Sequence, residues 1–229
     1  EIIKCDWSSD VCSSDLSKLK CSLMPYLFET ANTAHTVGLP VMRSMILEFQ
    51  NDPACTYLDK QYMLGDSILV APIFNEDGEA NYYLPEGTWT SFITGKKYEG
   101  GRWIKENHDY LSIPMMVKEN SLIAIGHENT VPDYDFREDV KVLAYELKDD
   151  VKATTKVLDM NRNEVLEVKV LKHENTLNIE SVGTDKAWTM VLKNVVNVTE
   201  VEGAEFKVEG NDTVVIMKSG NSKVLCHLA

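Results

Sequence analysis

The sequence lacks the features that mark several classes of protein. No apolar run approaches the roughly 20 residues that span a bilayer, and residues 1–16 lack the continuous apolar stretch of a signal peptide. The cysteines are odd in number, scattered and without a CxxC pair, which is a poor disulfide framework and predicts reduced thiols in a cytoplasmic protein. They are Cys5, Cys12, Cys21, Cys55 and Cys226.

Basic residues are also scarce, and this limits the partners. The chain has 23 Lys and Arg against 36 Asp and Glu, so its net charge is −13, which disfavours both nucleic acid and anionic membranes. There is no glycine-rich phosphate loop and no GxSxG elbow. The histidines have no ligand spacing with one another or with cysteine, so we expect no metal and no cofactor. They are His35, His108, His127, His173 and His227.

The first 16 residues differ from the rest of the chain. Residues 7–11 and 12–16 are near copies of one serine-containing sequence, and no apolar period lies behind them. We interpret residues 1–16 as a non-native segment translated from a repeated sequencing adapter, with the gene continuing upstream. The alternative is a short serine-rich linker. We exclude this segment from the fold prediction.

Apolar spacing predicts a helix that begins near Ser17. Leucine or alanine recurs every four residues, at Leu19, Leu23, Leu27 and Ala31. Pro25 either starts or kinks this helix, and Gly38 ends it. The mostly apolar residues 41–49 follow at once and predict a parallel strand buried on both faces.

The remainder of the chain, 44% hydrophobic overall, has the pattern of short strands. Turn residues separate apolar runs from about Gly65 onward, which indicates a β-sandwich. A second series from about Val140 alternates apolar and polar residues, as in an antiparallel sheet with one solvated face. The polar, proline-containing residues 131–135 are the expected border between the two.

Residues 18–126 resemble the glycosidases of glycoside hydrolase family 31. The resemblance rests on the order and spacing of short motifs: KCSLMPYL at 20–27, GLPVMR at 38–43, EFQNDPAC at 48–55, LDKQYMLGD at 58–66, LVAP at 69–72, YLPEGTW at 83–89, and residues 114–126. The motifs around Cys55 and Gly65 are most similar to the bacterial α-xylosidases. Gln50 and Asn51 depart from the pattern, because the family usually has a proline and an acid there.

This resemblance implies a domain plan. The family has a (β/α)8 barrel followed by a proximal and a distal C-terminal β-sandwich. Residues 17–60 would then be the C-terminal end of the barrel, with 41–49 as its last strand. Residues 61–135 would form the proximal sandwich and residues 136–229 the distal one. The expected fold is therefore mainly β, with two sandwiches preceded by the last helix and strand of a barrel.

The resemblance also implies a function for the intact protein. Family members are retaining α-glycosidases that hydrolyse terminal α-linked sugars, here xylose, with glucose or galactose as the alternative, and they often form homo-oligomers. Retaining hydrolysis needs two carboxyl groups roughly 5–5.5 Å apart. In the family both are aspartates on earlier barrel strands, in motifs without a match here, so we expect this chain alone to be inactive. A stand-alone carbohydrate-binding module or a structural surface remains the other class.

Three residues near the expected barrel end are the candidate site, with a supporting role. Arg43 lies within an apolar run, where a charge needs a partner, and Glu48 is near enough to be that partner. Asp52 precedes Pro53, as a helix N-cap does. Four aromatic residues could either bind sugar by stacking or pack in the core, and packing is the more common role. They are Tyr82, Tyr83, Trp89 and Trp103.

Overall fold

The structure is a computed structural model that describes residues 9–109, 112–183, 185–220 and 222–229. Part of the segment predicted to be non-native, residues 1–8, lies outside the described residues. The chain is mainly β, as predicted, with antiparallel sheets and few helices. Within the described residues, no helix is both long and apolar enough to cross a membrane.

Two helices stand where the sequence predicted one. They are α1 (Ser9–Ser22) and α2 (Met24–Val37), separated by Leu23. Pro25 lies in the first turn of α2, where its missing N–H removes no helical hydrogen bond, so it starts this helix. Gly38 ends α2 in the left-handed conformation, with φ +85°, and its N–H donates to the Ala34 carbonyl at 3.1 Å. The predicted helix stop is confirmed.

The remaining helices are short, and strands make up most of the chain. A helix α3 (Met45–Glu48) and a 3₁₀ helix (Pro53–Tyr57) follow α2. The strands are β1 (Met42–Arg43), β2 (Tyr62–Leu64), β3 (Ile68–Val70), β4 (Glu79–Leu84), β5 (Thr88–Ser91), β6 (Lys97–Glu99), β7 (Arg102–Asn107), β8 (Met115–Lys118), β9 (Ser121–Ile125), β10 (Lys141–Tyr145), β11 (Ala153–Leu158), β12 (Glu164–His173), β13 (Thr176–Gly183), β14 (Trp188–Leu192), β15 (Val198–Glu202), β16 (Glu205–Glu209), β17 (Asp212–Met217) and β18 (Ser222–Leu228).

These strands form three sheets and one two-stranded ribbon. Sheet 1 has the order β1-β2-β3-β8-β5-β6, sheet 2 the order β16-β17-β14-β10-β9, and sheet 3 the order β11-β12-β13-β18-β15. Strands β4 and β7 pair as the ribbon. The expected antiparallel pairing of the second series holds except at one place, because β10 and β14 are parallel.

The sheets stack in layers with three hydrophobic cores between them. Two of the cores lie on opposite faces of sheet 1, because successive residues of a strand point to opposite faces. Leu69 packs towards the ribbon, whereas Ile68 and Val70 pack towards sheet 2. Sheet 2 divides in the same way, since Leu143 faces sheet 1 and Val142 faces sheet 3. Sheet 2 is thus buried on both faces over its central strands.

Helices α1 and α2 contact both sandwich regions. The Tyr26 hydroxyl donates to the Leu64 carbonyl at 2.7 Å, at the end of β2. The Tyr134 hydroxyl donates to the Cys21 carbonyl at 2.9 Å. Gly126 N–H donates to the Ser22 carbonyl at 2.8 Å. These contacts fix the helices against sheet 1 and against the chain that leaves sheet 2.

The parallel strand predicted over residues 41–49 is wrong. Only Met42 and Arg43 are extended, and they pair antiparallel with β2 at the edge of sheet 1. Ser44 then adopts an N-cap conformation and Met45–Glu48 is helical. The prediction failed because the apolar residues of this segment are not buried on both faces. Met42, for example, is 60% exposed. The barrel assignment of residues 17–60 thereby loses its strand and stays a prediction.

The predicted border at residues 131–135 separates two regions that share a sheet. Strand β9 precedes the border and pairs antiparallel with β10, which follows it. The domain ranges 61–135 and 136–229 therefore stay a prediction, and β9 belongs by its hydrogen bonds to the sheet of the second range.

Candidate functional site

The candidate site is built on the segment between β1 and the 3₁₀ helix. Arg43 is 6% exposed, and its Nη1 lies 2.7 Å from Glu48 Oε1. Arg43 Nε also donates to the Pro40 carbonyl at 3.0 Å. The predicted ion pair is confirmed, and it exists because α3 turns the chain back so that Glu48 reaches the guanidinium.

Asp52 has two structural partners, one for each carboxylate oxygen. Oδ1 accepts the N–H of Ala54 at 3.0 Å, which confirms the predicted N-cap of the following 3₁₀ helix. Oδ2 accepts the hydroxyl of Tyr83 at 3.0 Å, from strand β4. Burial and this hydrogen bond raise the pKa of Tyr83 to about 12, so the hydroxyl keeps its proton and acts as the donor.

Gln61 fixes Tyr83 from the other side, and the sequence did not reveal this role. Its Nε2 donates to the Tyr83 carbonyl at 2.8 Å, and its Oε1 accepts the Tyr83 N–H at 2.7 Å. Both bonds are buried, so losing either would leave a backbone group without a partner. The available signal was a polar residue within the LDKQYMLGD motif, just before β2, but its partner is 22 positions away.

An open cavity of about 390 Å³ lies over these groups. Its lining includes Glu48, Asp52, Tyr83 and Glu86. The structure therefore brings Glu48 and Asp52 to one cavity, and Arg43 is paired with Glu48. Glu48 is held against a buried guanidinium, and Asp52 uses both oxygens on structural donors. This arrangement stabilises a turn; the supporting role at a barrel end stays a prediction.

Three of the four candidate aromatic residues pack in the core. Trp89 and Tyr82 are at most 1% exposed. Trp89 Nε1 donates to the Pro85 carbonyl at 2.8 Å, and Tyr83 is also buried. Trp103 differs, with 56% of its surface exposed. The preference for packing is confirmed for the first three and is wrong for Trp103.

A hydrogen-bonded cluster surrounds a single carboxylate, Glu106 on strand β7, and was not anticipated. Glu106 Oε1 accepts the hydroxyl of Tyr82 at 2.7 Å and lies 3.1 Å from His108 Nε2, while Oε2 accepts the hydroxyl of Tyr98 at 3.1 Å. Burial raises the pKa of Glu106, but these hydrogen bonds outweigh burial and leave the pKa below its usual value. Glu106 is thus an ionised hub that ties β7 to β4 and β6.

No metal centre is evident in the described part of the chain. Within residues 9–109, 112–183, 185–220 and 222–229, no three His, Cys, Asp or Glu residues are grouped so that they could hold an ion. Cys21, Cys55 and Cys226 are buried free thiols. Burial raises the pKa of the Cys55 and Cys226 thiols to about 11, which makes both poor nucleophiles.

Two family profiles match the chain, one after the other. The glycosyl hydrolase family 31 C-terminal domain matches residues 38–123. The C-terminal domain of α-xylosidase YicI matches residues 135–228. The unmatched residues between the two include the polar segment around Pro132.

Individual relatives point to the same family. The chain is 40% identical over 168 residues to α-xylosidase XylQ of Lactiplantibacillus pentosus, covering 72% of this chain and 22% of that protein. It is 39% identical over 137 residues to an α-xylosidase of Emericella nidulans, covering 56% of this chain and 18% of that protein. The chain thus spans about a fifth of the length of these relatives.

A solved structure shows the same fold. The GH31 dextranase FjDex31A of Flavobacterium johnsoniae, complexed with glucose, superposes with a TM-score of 0.80 at 21% identity. The superposition covers 92% of this chain and 32% of the dextranase. At this identity the likeness concerns the fold alone. The two profile matches, which follow one another along the chain, show that it belongs to glycoside hydrolase family 31 and that it matches C-terminal domains of that family.

Proposed function

We propose that this chain is the supporting C-terminal region of a retaining α-glycosidase that removes terminal α-linked xylose, and that the chain alone has no hydrolytic activity. One observation carries the choice of sugar: likeness to α-xylosidases extends through both sandwich regions, with the YicI-type domain over residues 135–228 and XylQ aligned over 168 residues. The parent reaction would proceed by double displacement through a glycosyl-enzyme intermediate.

The carboxylates of the candidate site support a role in structure. Retaining hydrolysis needs one carboxylate free to attack carbon and one carboxylic acid able to donate a proton. Glu48 is bound at 2.7 Å to the buried guanidinium of Arg43. Asp52 is bound to Ala54 N–H and to Tyr83. Both side chains are therefore committed to holding the turn.

Exposed apolar residues support a contact with a further domain. Val37 is 68% exposed, Met42 60%, Ile46 42% and Leu47 36%, all within residues 37–47. Clustered exposed apolar residues mark protein contacts more often than solvated surface. In the proposed parent enzyme this segment packs against the (β/α)8 barrel. The buried free thiols fit the proposed cytoplasmic location.

The first experiment measures hydrolysis of an aryl α-xyloside by the purified chain. We expect no turnover above buffer, because the chemistry needs the paired carboxylates of the barrel. Glu48→Gln and Asp52→Asn variants are prepared in parallel. Turnover that persists through purification and disappears in either variant would show that this site is catalytic and would overturn the proposal.

The second experiment concerns the sugar and uses the complete enzyme. We expect kcat/KM to be higher for an aryl α-xyloside than for the matching α-glucoside. The two substrates differ only in the hydroxymethyl group, so the ratio reports how the sugar pocket treats that group. A higher value for the glucoside would assign the parent to the α-glucosidases and refute the proposed specificity, while the supporting role would stand.

A further inference from the structure

Three aromatic side chains are exposed around one cavity. Tyr57 is 91% exposed, Phe74 70% and Trp103 56%, and all three line a cavity of about 480 Å³. By contrast, Trp89 and Trp188 are at most 2% exposed. Large rings left in water lose the free energy that burial would bring, so their convergence on one cavity marks a binding surface. We call this cavity the aromatic cleft.

The fold holds the largest of these rings in place. Trp103 lies on β7 directly opposite Tyr83 on β4, and the two ring centroids are 5.7 Å apart at an interplanar angle of 56°. Tyr83 is itself fixed by the two buried bonds to Gln61 and by Asp52. A ring positioned by packing loses little conformational entropy when a ligand stacks on it.

Polar groups with unused hydrogen-bonding capacity share the lining. Asp59, Lys60 and Asn81 all line the aromatic cleft. Within the residues that the structure describes, none of these three side chains has a hydrogen-bond or ion-pair partner. Together they offer a carboxylate acceptor, an ammonium donor, and an amide that both donates and accepts. A ligand can therefore find several differently oriented polar partners beside the rings.

This combination selects a neutral sugar. A pyranose presents an apolar face of C–H groups, which suits an aromatic ring, and a rim of hydroxyls, which suits mixed donors and acceptors. The charges of Asp59 and Lys60 cancel, and the chain carries a net charge of −13, which opposes phosphates and other anions. The volume lies within the roughly 300–1,000 Å³ of small-ligand pockets.

We propose that the aromatic cleft is a carbohydrate-binding site that takes a neutral oligosaccharide of pyranose units. Trp103 supplies the main stacking surface, Tyr57 and Phe74 border it, and Asn81 with Lys60 bonds the hydroxyl groups. This site is a function additional to the supporting role, because a chain that only stabilises the barrel needs no contact with sugar.

The test is calorimetric titration of the full chain with isoprimeverose, isomaltotriose and maltotriose. We expect saturable binding of at least one of them. Trp103→Ala should weaken that binding about tenfold or more, because it removes the stacking surface. Trp103→Phe should recover part of the loss, and Asn81→Ala should weaken binding while leaving the rings intact. Phe206→Ala, on the exposed edge strand β16, is the matched control and should bind as the unchanged chain does.

Three results would overturn the proposal. The first is no heat of binding with any of the sugars at about 20 mM, which is far above a millimolar Kd. The second is binding that Trp103→Ala and Asn81→Ala both leave unchanged while thermal unfolding shows that the variants are folded. The third is self-association of the chain that Trp103→Ala abolishes, which would assign the rings to a second copy. None of these results bears on the absence of hydrolysis, so the supporting role is tested separately.

Discussion

Substitution of Tyr26 by Phe tests how α2 is attached to the sandwich. Tyr26 is 4% exposed, and its hydroxyl makes two contacts with backbone groups of sheet 1. It donates to the Leu64 carbonyl at 2.7 Å and accepts the Ser67 N–H at 3.4 Å. Tyr26→Phe keeps the ring and its packing but removes the partner of both backbone groups.

The expected loss follows from those two groups. Leaving a buried donor or acceptor without a partner costs about 1–3 kcal/mol. Because the second contact is long, we expect the free energy of unfolding to fall by about 2 kcal/mol. With a urea m-value of about 2–3 kcal/mol/M, the unfolding midpoint should fall by roughly 0.7–1 M. Tyr57→Phe removes a hydroxyl from a 91% exposed side chain and should leave the midpoint unchanged.

Gly65 makes the same contact testable by a double-mutant cycle. Gly65 has φ +66°, and a Cβ there would lie 2.3 Å from the Tyr26 hydroxyl oxygen. Gly65→Ala therefore combines a steric clash with the strain of an alanine in the left-handed conformation. Together they should lower the free energy of unfolding by about 3 kcal/mol. Gly210→Ala, with φ +61° and nothing within 4 Å, should show the strain alone.

The double variant should be less destabilised than the sum of the single variants. Tyr26→Phe removes the nearest atom that the new Cβ would meet, while Tyr26 Cζ at 2.9 Å and Thr30 Oγ1 at 3.0 Å remain. The clash is therefore relieved in part, and the coupling free energy should be about 1 kcal/mol. Equilibrium urea unfolding, followed by far-UV circular dichroism, measures all the variants. A Tyr26→Phe loss below about 0.5 kcal/mol, or strict additivity with Gly65→Ala, would refute this account of how α2 is held.

Three further substitutions test other contacts. Glu48→Gln leaves the buried Arg43 without its counter-charge and should lower the free energy of unfolding in urea by about 3 kcal/mol. Glu79→Gln breaks an exposed ion pair and should lower it by less than about 1 kcal/mol. Equal losses from the two variants would contradict this difference. Tyr145→Phe should not destabilise the chain, because the buried hydroxyl has no partner among the described residues. A lower melting temperature of this variant would show that the hydroxyl has a hydrogen-bond partner. Hydrogen bonds from Arg137 hold the pKa of Asp135 well below its unfolded value. Its stabilisation is therefore complete above about pH 4 and is lost progressively as the pH falls from there towards the folded-state pKa. Asp135→Asn should shrink the difference in unfolding free energy between pH 7 and pH 3, and an unchanged difference would refute the linkage.

Local chemistry made part of the fold predictable. Pro25 and Gly38 bound α2 because a missing N–H and a left-handed backbone are properties of single residues. Asp52 was recognisable as a cap for the same reason. The Arg43–Glu48 pair followed from the free energy that an unpaired charge would cost within an apolar run. Each of these inferences needs only neighbours within a few positions.

Long-range pairing was not predictable from the single sequence. An apolar run such as residues 41–49 predicts a buried strand, but periodicity does not identify what covers it, and here β1 lies at a sheet edge with Met42 exposed. The same limit hid the bonds from Gln61 to Tyr83. The exposure of Trp103 was not predictable for the same reason, because side chains alternate between the two faces in a two-stranded ribbon just as they do in a sandwich strand.

The loss of the predicted barrel strand changes the grounds for the function. A barrel strand over residues 41–49 would have marked the chain as part of a (β/α)8 enzyme, and that strand is not present in the structure. Membership of the glycosidase family now rests on the two profile matches and on the α-xylosidase relatives.

We propose that this chain supports a catalytic domain and does no chemistry itself. A chimera in which the chain replaces the corresponding C-terminal region of the L. pentosus α-xylosidase tests this by its hydrolysis of an aryl α-xyloside. We expect turnover by the chimera and none by the truncated α-xylosidase or by the chain alone. Turnover by the isolated chain, or equal turnover with and without it, would refute the supporting role.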